Sequence, residues 1–229
     1  MKILITSGGT TEKIDSVRGI TNHSSGQTGK EIAQLFLDHG DQVTLVTTNA
    51  TIKPDPHTNL TTYIISNVDS LLMTLEPLVK ENDCLIHAMA ISDYTPVYMT
   101  DMDELLATSN PLTLLEKENK ESKISSKSDY QVLFLKKTPK VISMVKDWNP
   151  TIQLIGFKLL VNVSEEELIN VARDSLRNNK AAAIIANDLS GINKDQHPAL
   201  LVSAENVQKL ESNQEIAQAI FERVSAYDN

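Results

Sequence analysis

The chain of 229 residues contains a single cysteine, Cys84, and only 4% aromatic residues. One cysteine excludes an intramolecular disulfide and is typical of proteins from reducing compartments. Cys84 lies in an apolar run that predicts a buried strand. A reactive thiol needs an electropositive and partly open setting, so the sequence favours a small core residue over a nucleophile.

Long apolar runs and an excess of positive charge are also absent. No window approaches the roughly 18 continuous apolar residues of a membrane span, and the apolar run at the N-terminus is too short for a signal peptide. The formal net charge of −9 argues against non-specific binding to nucleic acid or to an anionic membrane. We therefore expect a soluble, cytoplasmic protein whose partners are small molecules.

Familiar catalytic and metal-binding patterns are missing as well. No spacing of cysteine and histidine resembles a zinc site, and no nucleophile–base pair is visible. His87 lies within a predicted buried strand and is interpreted as a satisfied core residue. His23 lies in a loop, but no carboxylate is positioned by the sequence to orient it.

What the sequence does contain is an alternation of apolar runs and helical patterns. The predicted strands are 2–6, 42–47, 61–66, 83–90, 131–135, 153–159 and 181–187. The predicted helices are 28–39, 68–80, 139–147, 164–178 and 213–225. Several strands are apolar without alternation, which indicates that helices cover both faces of a parallel sheet. The fold class is therefore α/β, with an open, mostly parallel, Rossmann-like sheet that binds ligands at the carboxyl ends of its strands.

Residues 97–130 interrupt this alternation of strands and helices. They are polar, rich in charge and without a clear hydrophobic period, apart from a short helical pattern over 102–108. A stretch of this length predicts a flap over a site, a dimerisation segment or a disordered insert. No hinge divides the rest of the chain, so residues 1–229 are predicted to form a single domain that contains this segment.

Two pairs of glycines flank the loop between the first strand and the first helix. Gly8 and Gly9 follow the strand, whereas Gly26 and Gly29 precede the helix, and neither the dinucleotide fingerprint nor the Walker A spacing is met. Backbone N–H groups and a helix N-terminus can hold a phosphate. The loop is therefore either two clusters of donors that converge on one anion or an ordinary surface loop.

Arg18 and Asn22 are four residues apart in that loop. If the segment forms one helical turn, both side chains lie on one face. Arg18 would then offer a fork to a carboxylate or phosphate, and Asn22 would donate from its amide to an acyl oxygen. The alternative is a surface arginine and an asparagine that caps a turn.

Further candidates lie at predicted strand ends and in the 97–130 segment. Asp93 follows a parallel strand and could coordinate Mg²⁺ that bridges phosphates, or it could cap a turn. Lys123 could close over a polyphosphate, or it could belong to a solvated charged patch. Phe157 could pack against a nucleobase or in the core, and the Asn187 amide could contact a base edge or a ribose.

Taken together, these motifs resemble the phosphopantothenate–cysteine ligase family, also called phosphopantothenoylcysteine synthetase. The matching elements, in family order, are Thr6-Ser7-Gly8-Gly9-Thr10, Asp15-x-Val17-Arg18, Asn22-x-Ser24-Ser25-Gly26-x-x-Gly29, Ser92-Asp93-Tyr94, Lys123, Gly156-Phe157 and Ala186-Asn187-Asp188. The resemblance implies formation of 4′-phosphopantothenoylcysteine from 4′-phosphopantothenate and L-cysteine, through an acyl-nucleotidate intermediate, in coenzyme A biosynthesis.

The same resemblance implies roles for individual residues. The resemblance implies three catalytic residues, Asn22, Lys123 and Arg18. Asn22 would hold the acyl intermediate, and Arg18 would support the pantothenate side. Asp93 would act with Mg²⁺. The nucleotide-binding residues implied by the family are Gly8, Gly9, Ser24, Ser25, Gly26, Gly29, Ala90, Phe157, Lys158 and Asn187.

The chain also departs from the family. Many bacterial members have Lys-x-Lys-Lys where this sequence has Lys123-Ile124-Ser125-Ser126, and two lysines roughly where Ser175 and Asn179 fall. Bacterial members typically use CTP and eukaryotic ones ATP, and Phe157-Lys158-Leu159 looks eukaryotic. We expect CTP over ATP as co-substrate. We also expect a stand-alone ligase that forms a homodimer, with 97–130 contributing to the contact.

Two other functions fit parts of the sequence. An NAD(P)-dependent oxidoreductase of doubly wound fold is disfavoured by the displaced glycines and by the lack of an acidic residue at the end of the 42–47 strand. A non-catalytic nucleotide sensor would bind nucleotide without releasing pyrophosphate.

Overall fold

An eight-stranded sheet runs through the centre of the computed structural model, which describes residues 1–193 and 196–226. The strands of the described chain, in order, are β1 (Lys2–Thr6), β2 (Thr11–Lys13), β3 (Gly19–Thr21), β4 (Gln42–Thr47), β5 (Leu60–Ile64), β6 (Cys84–His87), β7 (Tyr94–Asp101), β8 (Gln131–Lys137), β9 (Gln153–Leu160), β10 (Ala183–Asp188), β11 (Ala199–Val202) and β12 (Val207–Leu210). The α-helices are α1 (Gln27–Asp38), α2 (Val68–Glu81), α3 (Met102–Ala107), α4 (Val141–Trp148), α5 (Glu165–Asn179) and α6 (Asn213–Ser225).

The strand order of the central sheet is β12-β11-β10-β9-β6-β1-β4-β5. The neighbours from β5 to β10 all pair in parallel, and β11 and β12 add an antiparallel edge. From β1 the chain moves first toward β4 and β5, then returns to β6 on the other side. The sheet therefore has a topological switch point between β1 and β6, where ligands of open α/β sheets bind.

Helices cover both faces of this sheet, as the sequence predicted. One core cluster joins Phe36 of α1 and Ile220 of α6 to alternate residues of the strands, and the other joins Leu75 of α2, Val145 of α4 and Ala172 of α5 to the opposite face. Cys84 contributes to the first cluster and is fully buried. Burial raises the pKa of its thiol above the ordinary value, as expected for a core residue.

Local sequence explains where several helices begin and end. The Ser164 hydroxyl accepts a hydrogen bond from the Glu167 backbone N–H at 3.2 Å, which confirms the predicted N-terminus of α5. α4 ends at Trp148 because Asn149 and Pro150 follow and cannot continue a helix. Gly40 follows the last turn of α1 with a φ of 88°, a conformation that favours glycine.

The 97–130 segment has more structure than the sequence predicted. β7 and β8 pair in an antiparallel two-stranded sheet, and α3 and a 3-10 helix over Pro111–Glu116 lie between them. The short helix predicted over 102–108 is confirmed as α3. We use the name flap for residues 94–137, the two strands and their connection.

Three further differences concern short strands. The loop after β1 contains the antiparallel hairpin of β2 and β3, where no strand was predicted. The edge strands β11 and β12 were also missed. The predicted 83–90 strand ends at His87, after which the backbone turns toward the site. No helix in the described part of the chain is long and apolar enough to span a membrane.

Candidate active site

A cavity of about 690 Å³ lies at the topological switch point. Its walls come from the loop after β3, the segment that follows β6, the start of α4, the end of β9 and one face of α5. Five of the residues that the sequence singled out line it: Asn22, Ala90, Asp93, Phe157 and Lys158. Crossover connections on opposite sides of β1 leave this crevice open, so distant parts of the sequence meet there.

The Asn22 side chain is held in one orientation by the segment after β6. Its Nδ2 donates to the Ile91 carbonyl at 3.0 Å, and its Oδ1 accepts from the Ser92 hydroxyl at 3.4 Å. Thr10 supports this segment, because its Oγ1 accepts from the Ser92 backbone N–H at 2.9 Å. A primary amide has two N–H donors. The second Asn22 donor therefore has no partner among the described residues, and the residue itself lines the cavity.

Asp93 lies at the rim of the cavity beside a lysine. The Lys140 Nζ is 3.3 Å from the Asp93 Oδ1, and both side chains are about two-thirds exposed, at 67% and 66%. No group of three or more His, Cys, Asp or Glu side chains in residues 1–193 and 196–226 is arranged to hold a metal ion. Asp93 is thus paired with Lys140, and Mg²⁺ bound there would have to take most of its ligands from phosphates and water.

The glycines on either side of the first loop do converge, but on protein atoms. A Cβ placed on Gly8 would lie 2.1 Å from the Thr51 Oγ1, and one on Gly26 would lie 2.1 Å from the Thr51 Cγ2. A Cβ on Gly29 would lie 2.2 Å from the Ser7 Oγ. These glycines allow Ser7 and Thr51 to pack against the start of α1, and Gly26, its N-cap residue, has no side chain to cap the helix.

The other members of that loop adjoin this packing. Gly9 passes so close to Asn22 that a Cβ would lie 1.9 Å from the Asn22 carbonyl oxygen. The Ser25 hydroxyl accepts from the Gln27 backbone N–H at 3.3 Å, and Ser24 is exposed. No acidic residue lies in the first turn of α1, so its partial positive charge is uncompensated there.

Arg18 and Asn22 do not share a helical turn, which corrects the sequence prediction. The backbone between them is extended in β3 because Gly19–Thr21 pairs with Thr11–Lys13. At about 3.3 Å per residue the two positions are about 13 Å apart along the strand. Asn22 lines the cavity, whereas Arg18 forms a salt bridge with Asp15, with 2.6 Å between Nη2 and Oδ2.

The flap segment that carries Lys123 is tied to this salt bridge. The Arg18 Nη2 donates to the Ile124 carbonyl at 2.9 Å, and the Ile124 backbone N–H donates to the Asp15 Oδ2 at 3.2 Å. The Arg18 guanidinium holds the pKa of Asp15 well below its usual range. Lys123 itself is exposed and does not line the cavity.

Asn187 also lies outside the cavity lining. It is buried at the end of β10, and its Nδ2 donates to the Pro198 carbonyl at 3.2 Å. Its amide therefore ties β10 to the segment that precedes β11 in this structure.

Three cavity residues were not identified as site residues from the sequence. Lys140 is the N-cap residue of α4 and lines the cavity, although the sequence analysis did not single it out. Thr138 lines the cavity and donates from its Oγ1 to the Ser92 carbonyl at 2.6 Å. His87, interpreted as core, is buried but lines the cavity floor.

The structure also locates the positions at which many family members have lysines. Ser175 and Asn179 line the cavity from α5, and Lys158 lines it from β9. Lys127 lies elsewhere, in a depression with residues 101–103 and 128–130. The cavity thus contains two lysines, Lys140 and Lys158, in a protein of strongly negative net charge.

The strand order and the switch-point cavity define a Rossmann-like α/β protein with a ligand site at the carboxyl edge of its sheet. A family model described as the DNA/pantothenate metabolism flavoprotein C-terminal domain matches residues 1–114 and 113–227. The chain therefore belongs to this family, which confirms the resemblance that the motifs indicated.

Individual relatives agree with this assignment. The chain is 31% identical over 226 residues to the coenzyme A biosynthesis bifunctional protein CoaBC of Methanocaldococcus jannaschii, covering 97% of this chain and 50% of that protein. It is 29% identical over 227 residues to the protein of the same name from Thermococcus kodakarensis, with the same coverage. The chain thus spans about half the length of these curated relatives.

Solved structures share the fold. The crystal structure of the DNA/pantothenate metabolism flavoprotein from Streptococcus pneumoniae is 53% identical, with a TM-score of 0.95 and 99% of each chain covered. The C-terminal domain of a coenzyme A biosynthesis bifunctional protein CoaBC superposes with a TM-score of 0.73 at 24% identity, covering 100% of this chain and 96% of that one.

Proposed function

We propose that this protein joins 4′-phosphopantothenate to L-cysteine in coenzyme A biosynthesis and consumes one nucleoside triphosphate. The observation that carries the proposal is the cavity of about 690 Å³ that brings Asn22, Asp93 and Phe157 together. These residues come from three separate motifs of the ligase resemblance. The membership of the chain in the DNA/pantothenate metabolism flavoprotein C-terminal domain family supports it.

The reaction has two displacements. A carboxylate oxygen of phosphopantothenate attacks the α-phosphorus of the nucleotide, and the bond to pyrophosphate breaks. The amine of cysteine then attacks the acyl carbon, the bond to the nucleotide oxygen breaks, nucleoside monophosphate leaves, and the amine loses a proton. A carboxylate is a poor acyl donor, so the first step supplies the leaving group that the second requires.

The site must bring several anions together, so alignment and charge neutralisation are its main tasks. The second N–H of the Asn22 amide is suited to bind an oxygen of the acyl intermediate. Lys140 and Lys158 supply positive charge in the cavity, and we propose that Lys123 adds to it from the flap. Arg18 is proposed to support the pantothenate side through the loop it shares with Asp15.

The nucleotide would extend from the cavity toward the start of α1. Phe157 lines the cavity with Ala90 and Lys158 and also packs against the first core cluster, and the start of α1, whose N-cap residue is Gly26, offers backbone N–H donors. We propose that the phosphates lie near Gly8, Gly9, Ser24, Ser25, Gly26 and Gly29, with Asn187 toward the nucleoside. Mg²⁺, when bound through Asp93 and the phosphates, would neutralise phosphate charge.

We propose CTP as the nucleotide, with ATP as the alternative, because Lys123 retains the first lysine of the bacterial pattern. The protein is further proposed to form a homodimer through the flap, which exposes several large apolar side chains. We propose that residues 1–229 form one ligase domain. This proposal is supported by a sheet whose strands come from both ends of the chain.

The decisive experiment measures pyrophosphate release with each nucleoside triphosphate in turn, in the presence of phosphopantothenate and Mg²⁺, with and without cysteine. Release with CTP, and a product of the mass of phosphopantothenoylcysteine only when cysteine is present, would support the proposal. Nucleotide binding without pyrophosphate release would instead indicate a sensor. A quenched NADPH fluorescence signal at micromolar protein would favour an oxidoreductase.

A further inference from the structure

Thr6 and His87 form a polar pair on the floor of the candidate site. They are the last residues of β1 and β6, and they are directly opposite each other in the parallel register. Thr6 is fully buried, and His87 is 5% exposed and lines the cavity. The pair therefore lies at the switch point, where a ligand in the cavity would meet the sheet.

A single side-chain hydrogen bond joins the two residues, with 2.8 Å between the Thr6 Oγ1 and the His87 Nδ1. Either atom can be the donor, because a neutral imidazole carries its proton on one nitrogen or the other. No other acceptor for the Thr6 hydroxyl is found among the residues that the structure describes. If the imidazole donated, the hydroxyl proton would be buried without a partner, which is unfavourable.

The satisfied arrangement therefore has the Thr6 hydroxyl donating to Nδ1, and the imidazole proton on Nε2. This second nitrogen makes no hydrogen bond within residues 1–193 and 196–226. It is also absent from the fully enclosed unpaired side-chain atoms of those residues, which are Glu31 Oε2, Gln153 Oε1 and Arg223 Nε. Because His87 lines the cavity and its Nε2 has no partner among the described residues, we infer that Nε2–H faces the cavity.

Burial and the positive charge of Lys140 lower the pKa of His87 to about 4. The imidazole is consequently neutral at physiological pH and presents a donor without a positive charge. Such a donor can bind an oxygen atom without adding to the positive charge that the two lysines of the cavity wall already supply. It complements them in a site that must hold several oxygens of different charge.

We propose that His87 is a substrate-binding residue whose Nε2–H, oriented by the Thr6 hydroxyl, donates a hydrogen bond to a substrate oxygen on the cavity floor. The proposal rests on the proposed function for the identity of that substrate. The oxygen acceptor belongs either to the nucleotide or to the carboxylic acid, and separate titrations distinguish the two sources.

The internal hydrogen bond is tested first, by ¹⁵N NMR of histidine-labelled protein. The chain has five histidines, and the His87→Gln variant assigns the relevant signals. We expect the Nε2–H tautomer in the wild type and in Thr6→Ser, which keeps a hydroxyl. Thr6→Val, of the same shape without the hydroxyl, should shift the Nδ1 resonance of His87, because that nitrogen loses its hydrogen-bond donor. An Nδ1–H tautomer in the wild type would overturn the assignment.

Ligand contact is tested with the same signals. CTP and phosphopantothenate are added separately, each with Mg²⁺, and the His87 Nε2–H resonance is followed. A shift with one of them identifies the source of the oxygen. If both ligands bind by calorimetry and neither shifts the resonance, the inference is wrong while the proposed function stands. If neither ligand binds, both fail, and the tautomer measurement still decides the Thr6–His87 bond.

Kinetics separate a binding role from a structural one. His87→Leu should raise KM for the contacted substrate about tenfold, as expected for one lost hydrogen bond, with a smaller effect on the other substrate. His87→Gln retains an N–H donor and should recover part of the loss. Equal effects of both variants on both substrates would mean that His87 only fills the floor of the cavity.

Discussion

Gly26 and Gly40 have nearly the same backbone conformation but very different surroundings. Both have positive φ values, 82° and 88°. A Cβ on Gly40 would meet no atom within 4 Å, whereas one on Gly26 would overlap the Thr51 side chain. Substituting each of the two glycines in turn therefore separates the cost of a left-handed backbone from the cost of crowding at the proposed phosphate loop.

We expect Gly40→Ala to lower the free energy of unfolding by about 1 kcal/mol, the cost of placing a side chain in the left-handed region. Gly26→Ala should lower it by about 2–5 kcal/mol, because the overlap with Thr51 adds to the same backbone term. Urea unfolding of both variants measures the difference. Equal losses would show that Thr51 moves aside freely.

Asn22 is the residue whose role in the proposed chemistry is easiest to test. Asn22→Asp removes both N–H donors, including the one to the Ile91 carbonyl, and adds a negative charge beside two anionic substrates. We expect turnover to fall at least about tenfold, while nucleotide affinity changes less.

Asn49→Asp is the matched control for Asn22→Asp. Asn49 is exposed and lies outside the cavity, so the same charge change there should leave turnover unaltered. Unchanged turnover in Asn22→Asp itself would remove Asn22 from the proposed site. Pyrophosphate release and nucleotide titration supply the two readouts.

The sequence identified much of the site at this scale, but not all of it. Asp93 and Phe157 were singled out because they lie at predicted strand ends, and Asn22 because it belongs to the glycine-flanked loop. Lys140 and His87 were not, since a lysine at a helix start and a histidine in an apolar strand have common structural explanations. Their contact with the cavity depends on which strands are neighbours, and local sequence does not specify that.

At the scale of elements, the flap is fastened to the hairpin of β2 and β3. The carboxylate of Asp15 is almost fully buried, at 1% exposure, and it joins Arg18 to the backbone of Ile124. The Ser16 backbone N–H also donates to the Ser122 carbonyl at 3.0 Å. These contacts limit where Lys123 can lie relative to the cavity.

Asp15→Asn should loosen this attachment, because a neutral amide cannot form the ion pair with Arg18. We expect faster hydrogen exchange over residues 118–127 and slower turnover, with the central sheet unchanged. Asp129→Asn, an exposed position in the same flap, makes the same charge change and should alter neither. If exchange in Asp15→Asn matches the wild type, the salt bridge does not hold the flap.

Elements were predictable where a long apolar or amphipathic pattern existed. The parallel strands β1, β4 and β6 are buried on both faces, and their apolar runs were recognised with small errors at the ends. β2 and β3 have three residues each, which is too short for any periodicity. β7 contains Pro96, and a proline within a run argues against a strand. The sequence alone does not reveal that β7 pairs with β8.

At the scale of the whole molecule, the flap carries an unusual share of exposed apolar surface. Its large apolar side chains with more than a third of their area exposed are Tyr94, Met102, Leu106, Leu112, Leu115, Tyr130 and Leu135. Contiguous apolar surface is typical of interfaces between proteins. The proposed homodimer would cover this surface.

Leu112→Glu should therefore shift the protein toward the monomer, because a buried carboxylate without a partner opposes association. Met73→Glu is the matched control, since Met73 is 74% exposed on α2, away from the flap. Sedimentation equilibrium of the wild type and both variants gives the mass directly. A monomeric wild type, or equal behaviour of the two variants, would contradict the proposed contact.

The global arrangement was predictable only as a class. Alternating strands and helices imply an open, mostly parallel sheet, and the structure has it. The antiparallel edge of β11 and β12 could not be anticipated with the same reasoning. Ala199–Val202 is an apolar run of only four residues. A run this short could equally belong to a loop whose side chains are buried in the core, so the local pattern does not identify a strand.

The complete enclosure of Cys84 has a practical consequence. Since it is the sole thiol of the sequence and has no solvent-exposed area, a cysteine introduced on the surface would be the only one to react with a maleimide probe. A spin label or fluorophore can thus be attached at a chosen point of the flap without first removing the native residue. Any change in the distance between the flap and the cavity when ligands are added could then be measured in the otherwise unaltered protein.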